Sequence, residues 1–312
     1  MLASTALLSG LVDYAGLFPP AGLGMPAAVC NYAAYRRGPR AWMLGRMIVP
    51  ATRLAEFEAV RRAEDAGDWS PIWRVSALVG SDIDAEIDIA LAFSAAAAAE
   101  GSPVVLDAWE VKAQSPDDIY RVSARVPGRV RVSFEIPVHG DVRQARTALL
   151  DAIFHAGATA KARTGGVTPA SIPTTAEVAT FLWDCARARV PFKATAGLHH
   201  RVRGEYPLTY ASDSPTGVMH GFLNVFVAAA LARAEAARQA HAAGPGVPAI
   251  LTAVLDERDL SAFSVGPETV RWHDISLGAA QLGDTRTGLA LSFGSCSFEE
   301  PVAELLATGV PL

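Results

Sequence analysis

The sequence predicts a closed (β/α)8 barrel, and three observations carry that prediction. Eight short apolar runs recur along the 312 residues, each followed by a helix-like stretch. No low-complexity linker divides the chain, so the units read as one domain over residues 1–312. No run is followed by a G-x-G-x-x-G turn, which argues against an open doubly wound sheet. Alternating strands and helices imply parallel strands joined by crossovers, and eight such units imply closure.

The first run is 11–18, LVDYAGLF, with a helix at 26–37. The second is 42–49, and its helix is expected to be capped at Thr52, with Glu56 following. The third is 73–79, with a helix from Asp82 to Glu100. The fourth is 103–111, followed by a short helix capped at Ser115-Pro116. The fifth is 130–138, with a helix at 141–156 capped by Asp141. The sixth is 159–167, with a helix at 175–189 capped by Thr175. The seventh is 191–198; after a long loop comes an apolar helix at 219–242, expected against the barrel or a second subunit. The eighth is 289–296, closed by a helix at 301–306. Glycines 67, 101 and 157 fall where helices should end. Residues 243–288 exceed a simple connection and read as an insertion before the eighth strand, with a helix-like LDERDLSAF and a strand-like TVRWHD.

Half the residues are apolar, so a large core can be buried. The net charge of -5, without a basic stripe, argues against a nucleic-acid partner. No run reaches the ~18–20 apolar residues that span a bilayer, and the first residues lack a basic n-region. Three scattered cysteines make a disulfide framework unexpected, which suits the reducing cytoplasm. A homo-oligomer is compatible with all of this.

Barrel active sites lie at the C-terminal ends of the strands. Polar residues inside apolar strands are therefore the candidates. Strand six reads ATAKARTGG and strand seven PFKATAG. Alternation puts Lys161 and Arg163 on one face, and Lys193 with Thr195 on one face. If both faces point inward, three cations converge. They would attract a small anionic metabolite and disfavour charge on one another, which suits a lysine nucleophile. Structural ion pairs with inward carboxylates are the alternative. Glu135 on strand five is one partner. Strand four offers Asp107 or Glu110, of opposite parity, so only one faces inward on a regular strand. Asp107 sits well inside the strand, whereas Glu110 could lie at its end. Asp13 and Arg46 complete the polar set.

These motifs resemble those of the class I deoxyribose-phosphate aldolases. Lys161-Ala-Arg-Thr-Gly-Gly is similar to that family's K-T-S-T-G-F, and Phe192-Lys193-Ala-Thr-Ala-Gly to its V-K-A-S/A-G-G. Phe293-Gly294-Ser295-Cys296-Ser297 resembles its phosphate turn, Leu11-Val-Asp-Tyr14 its opening I-D-H-T, and Phe134-Glu135 its L-E-T. The resemblance runs through most strands in order and is specific in strands six to eight. It implies that Lys161 forms the Schiff base, that Lys193 tunes it, and that Asp107 relays protons. It further implies an anion pocket at Gly197, Gly294 and Ser295. Arg163 departs from the family's small hydroxyl residue. Gly197-Leu198-His199-His200 departs from its glycine pair, crowding a phosphate but suiting a carboxylate.

His199 and His200 are candidate substrate-binding residues. As a metal site with Glu135 or Cys296 they match no H-x-x-x-H spacing, so no metal is expected. A general acid–base role and a hydrogen-bonded structural pair both remain open. Cys296 is not expected to be a nucleophile, because no histidine can be placed beside it from sequence. No cofactor is called for. The leading expectation is a lysine-dependent lyase acting on a small anionic carbonyl compound. The alternatives are an isomerase or dehydratase using the same lysines without covalency, and a non-catalytic barrel binding an anionic metabolite.

Overall fold

A computed structural model describes residues 1–64, 72–239 and 246–307. Eight parallel strands close into a barrel: β1 (Val12–Tyr14), β2 (Leu44–Pro50), β3 (Trp73–Leu78), β4 (Val104–Lys112), β5 (Arg131–Glu135), β6 (Thr159–Arg163), β7 (Phe192–Thr195) and β13 (Ala290–Ser295). They follow one another around the barrel in chain order, and β13 pairs with both β7 and β1. This is the (β/α)8 architecture that the eight apolar runs predict.

Helices cover the outside: α2 (Met25–Arg37), α3 (Leu54–Glu64), α4 (Ile83–Ala99), α5 (Pro116–Ser123), α6 (Arg143–His155), α7 (Thr175–Ala188), α8 (Phe222–Arg238) and α11 (Glu299–Leu306). A further helix, α1 (Ala3–Leu8), precedes β1 and was not anticipated. Outward strand residues pack under this layer. Trp73 of β3 meets Tyr32 of α2 and Phe57 of α3 at centroid distances of 5.5 and 5.9 Å. Phe293 of β13 stacks on Phe222 of α8 at 5.6 Å. The apolar α8 thus packs on β13 and against the neighbouring helices of this chain, α7 among them.

Several caps hold as expected. Asp82 accepts the Ala85 N–H at 3.3 Å, and Ser115 forms a capping box with Asp118. Others shift. Thr52 lies in a 3-10 turn before α3. Val142, not Asp141, precedes α6 and supplies no side-chain cap. Thr174, one residue earlier than expected, forms a capping box with Glu177 and starts α7. Gly101 and Gly157 end helices at φ +62°, where glycine avoids the steric cost of a Cβ. Gly67 lies outside the described residues.

The long loop after β7 holds a hairpin of β8 (Gly204–Pro207) and β9 (Thr216–Met219), so α8 begins later than expected; residues 240–242 lie outside the described part. The inserted segment holds α9 (Ala249–Asp256), an antiparallel sheet of β10 (Phe263–Val265), β11 (Thr269–Trp272) and β12 (Ile275–Gly278), and α10 (Ala279–Gly288). The stretch expected to be helical at 255–263 is not: α9 stops at Asp256, and a 3-10 turn leads into β10. Asp259 explains the turn, since its carboxylate accepts the Ser261 N–H at 2.8 Å. The insertion is tied to the first strand's approach by Arg286, which donates to the carbonyls of Leu7 and Ser9. Among the described residues no helix is long and apolar enough to cross a membrane.

Candidate active site

A barrel interior is ordinarily filled by branched apolar side chains. Here the inward positions of seven strands carry polar groups: Asp13, Ser76, Glu110, Ser133, Lys161, Lys193 and Ser292, all buried. Strand alternation delivers each of them from between apolar neighbours. The two lysines are direct register partners of β6 and β7, and Glu135 of β5 is the partner of Lys161 on the other side.

The charges form one connected network. Lys193 Nζ lies 2.7 Å from Asp13 Oδ2 and 2.7 Å from Glu110 Oε1. Lys161 Nζ lies 2.9 Å from Glu110 Oε2 and 3.0 Å from Glu135 Oε2. Arg163 Nε lies 3.5 Å from Glu135 Oε1. Ser292 Oγ and the Arg46 N–H each donate to Asp13 at 2.8 Å, and Ser76 Oγ donates to Glu110 at 3.2 Å. Three carboxylates therefore balance three cations, which is what burial of charge requires. Burial alone would push Glu110 up, but Lys161 and Lys193 hold it well below the usual carboxylate range. The same contest, decided by Lys193 and Arg46, lowers Asp13; decided by Lys161 and Arg163, it lowers Glu135. Burial would lower Lys193, yet Asp13 and Glu110 outweigh it and raise it.

This arrangement corrects the picture of bare cations side by side, because Glu110 is interposed between the lysines with one oxygen on each. It also corrects the choice on strand four. The β3–β4 register pairs Val75 with Leu106 and Ser76 with Ala108, so Asp107 is the extra residue of a β-bulge. Asp107 does not join the lysines. It binds Arg46 through both oxygens, at 2.5 and 3.0 Å, and Arg74 at 2.7 Å. Arg46 likewise is not in the lysine pocket; its side chain pairs with Asp107, and only its backbone reaches the network. Beyond the bulge, Glu110 occupies the inward position.

At the C-terminal end of the strands the network opens into a cavity of about 280 Å³. Lys161 and Glu110 lie in its floor, Arg163, Gly197 and His199 in its wall, and Phe18, Pro19 and Pro20 along its rim. Gly294 also lines it, whereas Ser295 is buried and gives its carbonyl to the Ala15 N–H at 2.7 Å. Gly197 serves close packing: a Cβ there would come 2.9 Å from the Gly165 Cα, and its φ is +81°. Thr164 Oγ1 donates to the Ala196 carbonyl at 2.6 Å and holds the same two turns together.

The histidines separate. His200 Nδ1 meets Glu304 Oε1 at 2.6 Å, and its ring stacks on Tyr206 of the hairpin at 3.4 Å. His199 Nδ1 meets Glu300 Oε2 at 2.8 Å, and its Nε2 faces Cys296 Sγ at 4.0 Å. A histidine does therefore stand beside Cys296, contrary to expectation. Burial would lower His199, but the Cys296 and Glu300 side chains outweigh it and hold it up to about 9. The acidic pair Glu300 and Glu304, spaced i and i+4 on α11, was the available signal: one helix face offers a partner to each histidine. Among the described residues no group of three or more side chains is arranged to hold a metal ion.

Scanned against protein-family models, the chain matches none, and no curated protein matches it either.

Proposed function

We propose that the chain is a lysine-dependent lyase, acting on a small anionic carbonyl compound through a Schiff base on Lys161. The observation that carries this reading is the Lys161 amine in the floor of the mouth cavity, held between Glu110 and Glu135. The cavity is of small-metabolite size. Arg163 at its wall is half-exposed and suits a carboxylate. Glu135 touches both the amine and Arg163, so it can take the ammonium proton before attack on the carbonyl and return it to the departing water. Lys193 stays a cation under Asp13 and Glu110 and keeps Glu110 ionised behind the nucleophile. The motif resemblance to class I aldolases supports the same residue as nucleophile. Three free cysteines suit the reducing cytoplasm as its compartment.

The test is borohydride trapping with a panel of aldehydes and keto acids. The expected result is a reduced adduct on the Lys161 peptide, absent from Lys161→Arg. No adduct across the panel overturns the reading. One observation favours a second reading: Lys161 is doubly ion-paired, as a lysine that only steers charge would be. In that case the protein is an isomerase or dehydratase, and Lys161→Arg keeps turnover.

A further inference from the structure

The lysine network leaves one reactive group in the same cavity unused. Cys296 follows β13 and His199 follows β7, and these strands are neighbours in the barrel. Their C-terminal ends therefore bring the thiol and the imidazole together at 4.0 Å. Glu300, in the first turn of α11, holds the other ring nitrogen at 2.8 Å. Tyr210, reaching from the loop between β8 and β9, puts its hydroxyl 3.5 Å from the sulfur. Both Cys296 and His199 line the mouth cavity.

We propose that Cys296, His199 and Glu300 form a second nucleophilic centre, which captures a small aldehyde as a thiohemiacetal. The order of contacts is that of a nucleophile, its base and the group that orients the base. Glu300 fixes Nδ1, which leaves Nε2 facing the sulfur. Cys185 is the internal contrast: it is buried among apolar groups, and burial pushes its thiol far up. Cys296 instead has an imidazole as neighbour.

The step balances without an oxidant. The sulfur lone pair forms the S–C bond, and the carbonyl π pair moves to oxygen, which takes the Nε2 proton of the cationic His199. The Cys296 proton replaces it on Nε2. Reversal releases the aldehyde and restores the thiol. The choice of an aldehyde rests on the lyase reading, since carbon–carbon cleavage at Lys161 releases one beside Cys296. The reactivity of the thiol does not rest on it.

Two measurements on the full chain separate these parts. The first is alkylation by iodoacetamide at pH 6.5, read by peptide mass mapping. Cys296 is expected to react on the order of tenfold faster than the exposed Cys30, because the His199 imidazole stands beside its sulfur, a neighbour that the proposed centre does not give Cys30. His199→Gln and Glu300→Gln are each expected to slow it. Labelling of Cys296 no faster than Cys30 overturns the proposal. The second uses Lys161→Arg, which cannot form an imine, with glyoxylate as the probe. Protection of Cys296 from iodoacetamide supports aldehyde capture, and unchanged labelling overturns it. Borohydride trapping on the unaltered chain reports on Lys161 alone, so either reading can fail without the other.

Discussion

Glu110 Oε2 and Lys161 Nζ meet at 2.9 Å inside the barrel, and neither side chain is more than 5% exposed. The other oxygen of Glu110 holds Lys193. Removing this one carboxylate therefore leaves two buried cations with one carboxylate each, Asp13 on Lys193 and Glu135 on Lys161, and the network one negative charge short. Glu110→Gln is expected to destabilise the fold by about 3–5 kcal/mol, the scale of a broken buried pair. Urea denaturation at neutral pH checks this. A loss within experimental error of zero contradicts the network.

Asp107 provides the matching control. It is 21% exposed and pairs with Arg46 and Arg74 away from the lysines. Asp107→Asn is expected to cost about 1 kcal/mol and to leave Lys161 trapping intact. If trapping disappears in a folded Asp107→Asn protein, strand four has been assigned to the wrong carboxylate.

The network and the histidines set a pH profile. His199 is raised to about 9, so its contribution to stability is full below the ordinary 6.5 and is lost as pH rises through about 9. Burial pushes His220 down to about 4, so its contribution is present above 6.5 and is lost as pH falls toward 4. Asp13, Glu110 and Glu135 are depressed, and their contribution is lost only in stronger acid, below the ordinary 3.8 and 4.5. Lys193 is raised, so its share persists up to the ordinary 10.5 and fails above it. Stability is expected to peak at about pH 6.5. His199→Gln should flatten the alkaline limb between 6.5 and 9. A denaturation midpoint that is level over that range in the unaltered chain would falsify the assignment.

Asn224 fastens the mouth loops to the scaffold. Wholly buried in α8, it accepts the Arg203 N–H at 2.9 Å and donates to the carbonyls of Val254 and Glu257 at 2.7 and 2.8 Å. Asn224→Ala leaves three backbone groups without that partner, at about 1–3 kcal/mol for each that stays buried and unpaired. Hydrogen exchange is expected to quicken in residues 201–219 first. Uniform protection across the chain speaks against this anchoring.

Gly197→Ala tests the contact between the turns after β6 and β7. The added methyl meets the Gly165 backbone at 2.9 Å in a left-handed conformation. A cost of about 1–3 kcal/mol is expected, typical of overpacking. Displacement of Arg163 should also weaken any anion that the cavity binds. A thermal melt of the variant, with and without a trapped substrate, measures both effects.

The barrel was legible because its signal is local. Each strand is an apolar run, and each run precedes a helix that must cover it. Lys161, Lys193 and Glu135 were legible for a related reason, since a charge inside an apolar strand needs a partner. The choice between Asp107 and Glu110 was not legible. It depends on a bulge, which changes the facing of every residue beyond it without marking the sequence. The partnership of Cys296 and His199 joins positions 97 apart and follows only from the order of strands around the barrel. The hairpin of β8 and β9 was missed because β8 alternates between half-buried and exposed residues and β9 buries only Gly217 and Met219, so neither forms an apolar run.

The closure of β13 against β1 has a consequence for how the protein is made. Asp13 waits for Lys193 across 180 positions and for Ser292 across 279. A ribosome delivers these partners in that order, so an emerging chain carries an unmatched carboxylate at its leading end for most of its synthesis. Contacts this distant are slow to form and leave partly built sheets exposed. Amino-terminal fragments that stop short of β13 should therefore be poorly soluble, and the protein should resist being split into halves that fold before they meet.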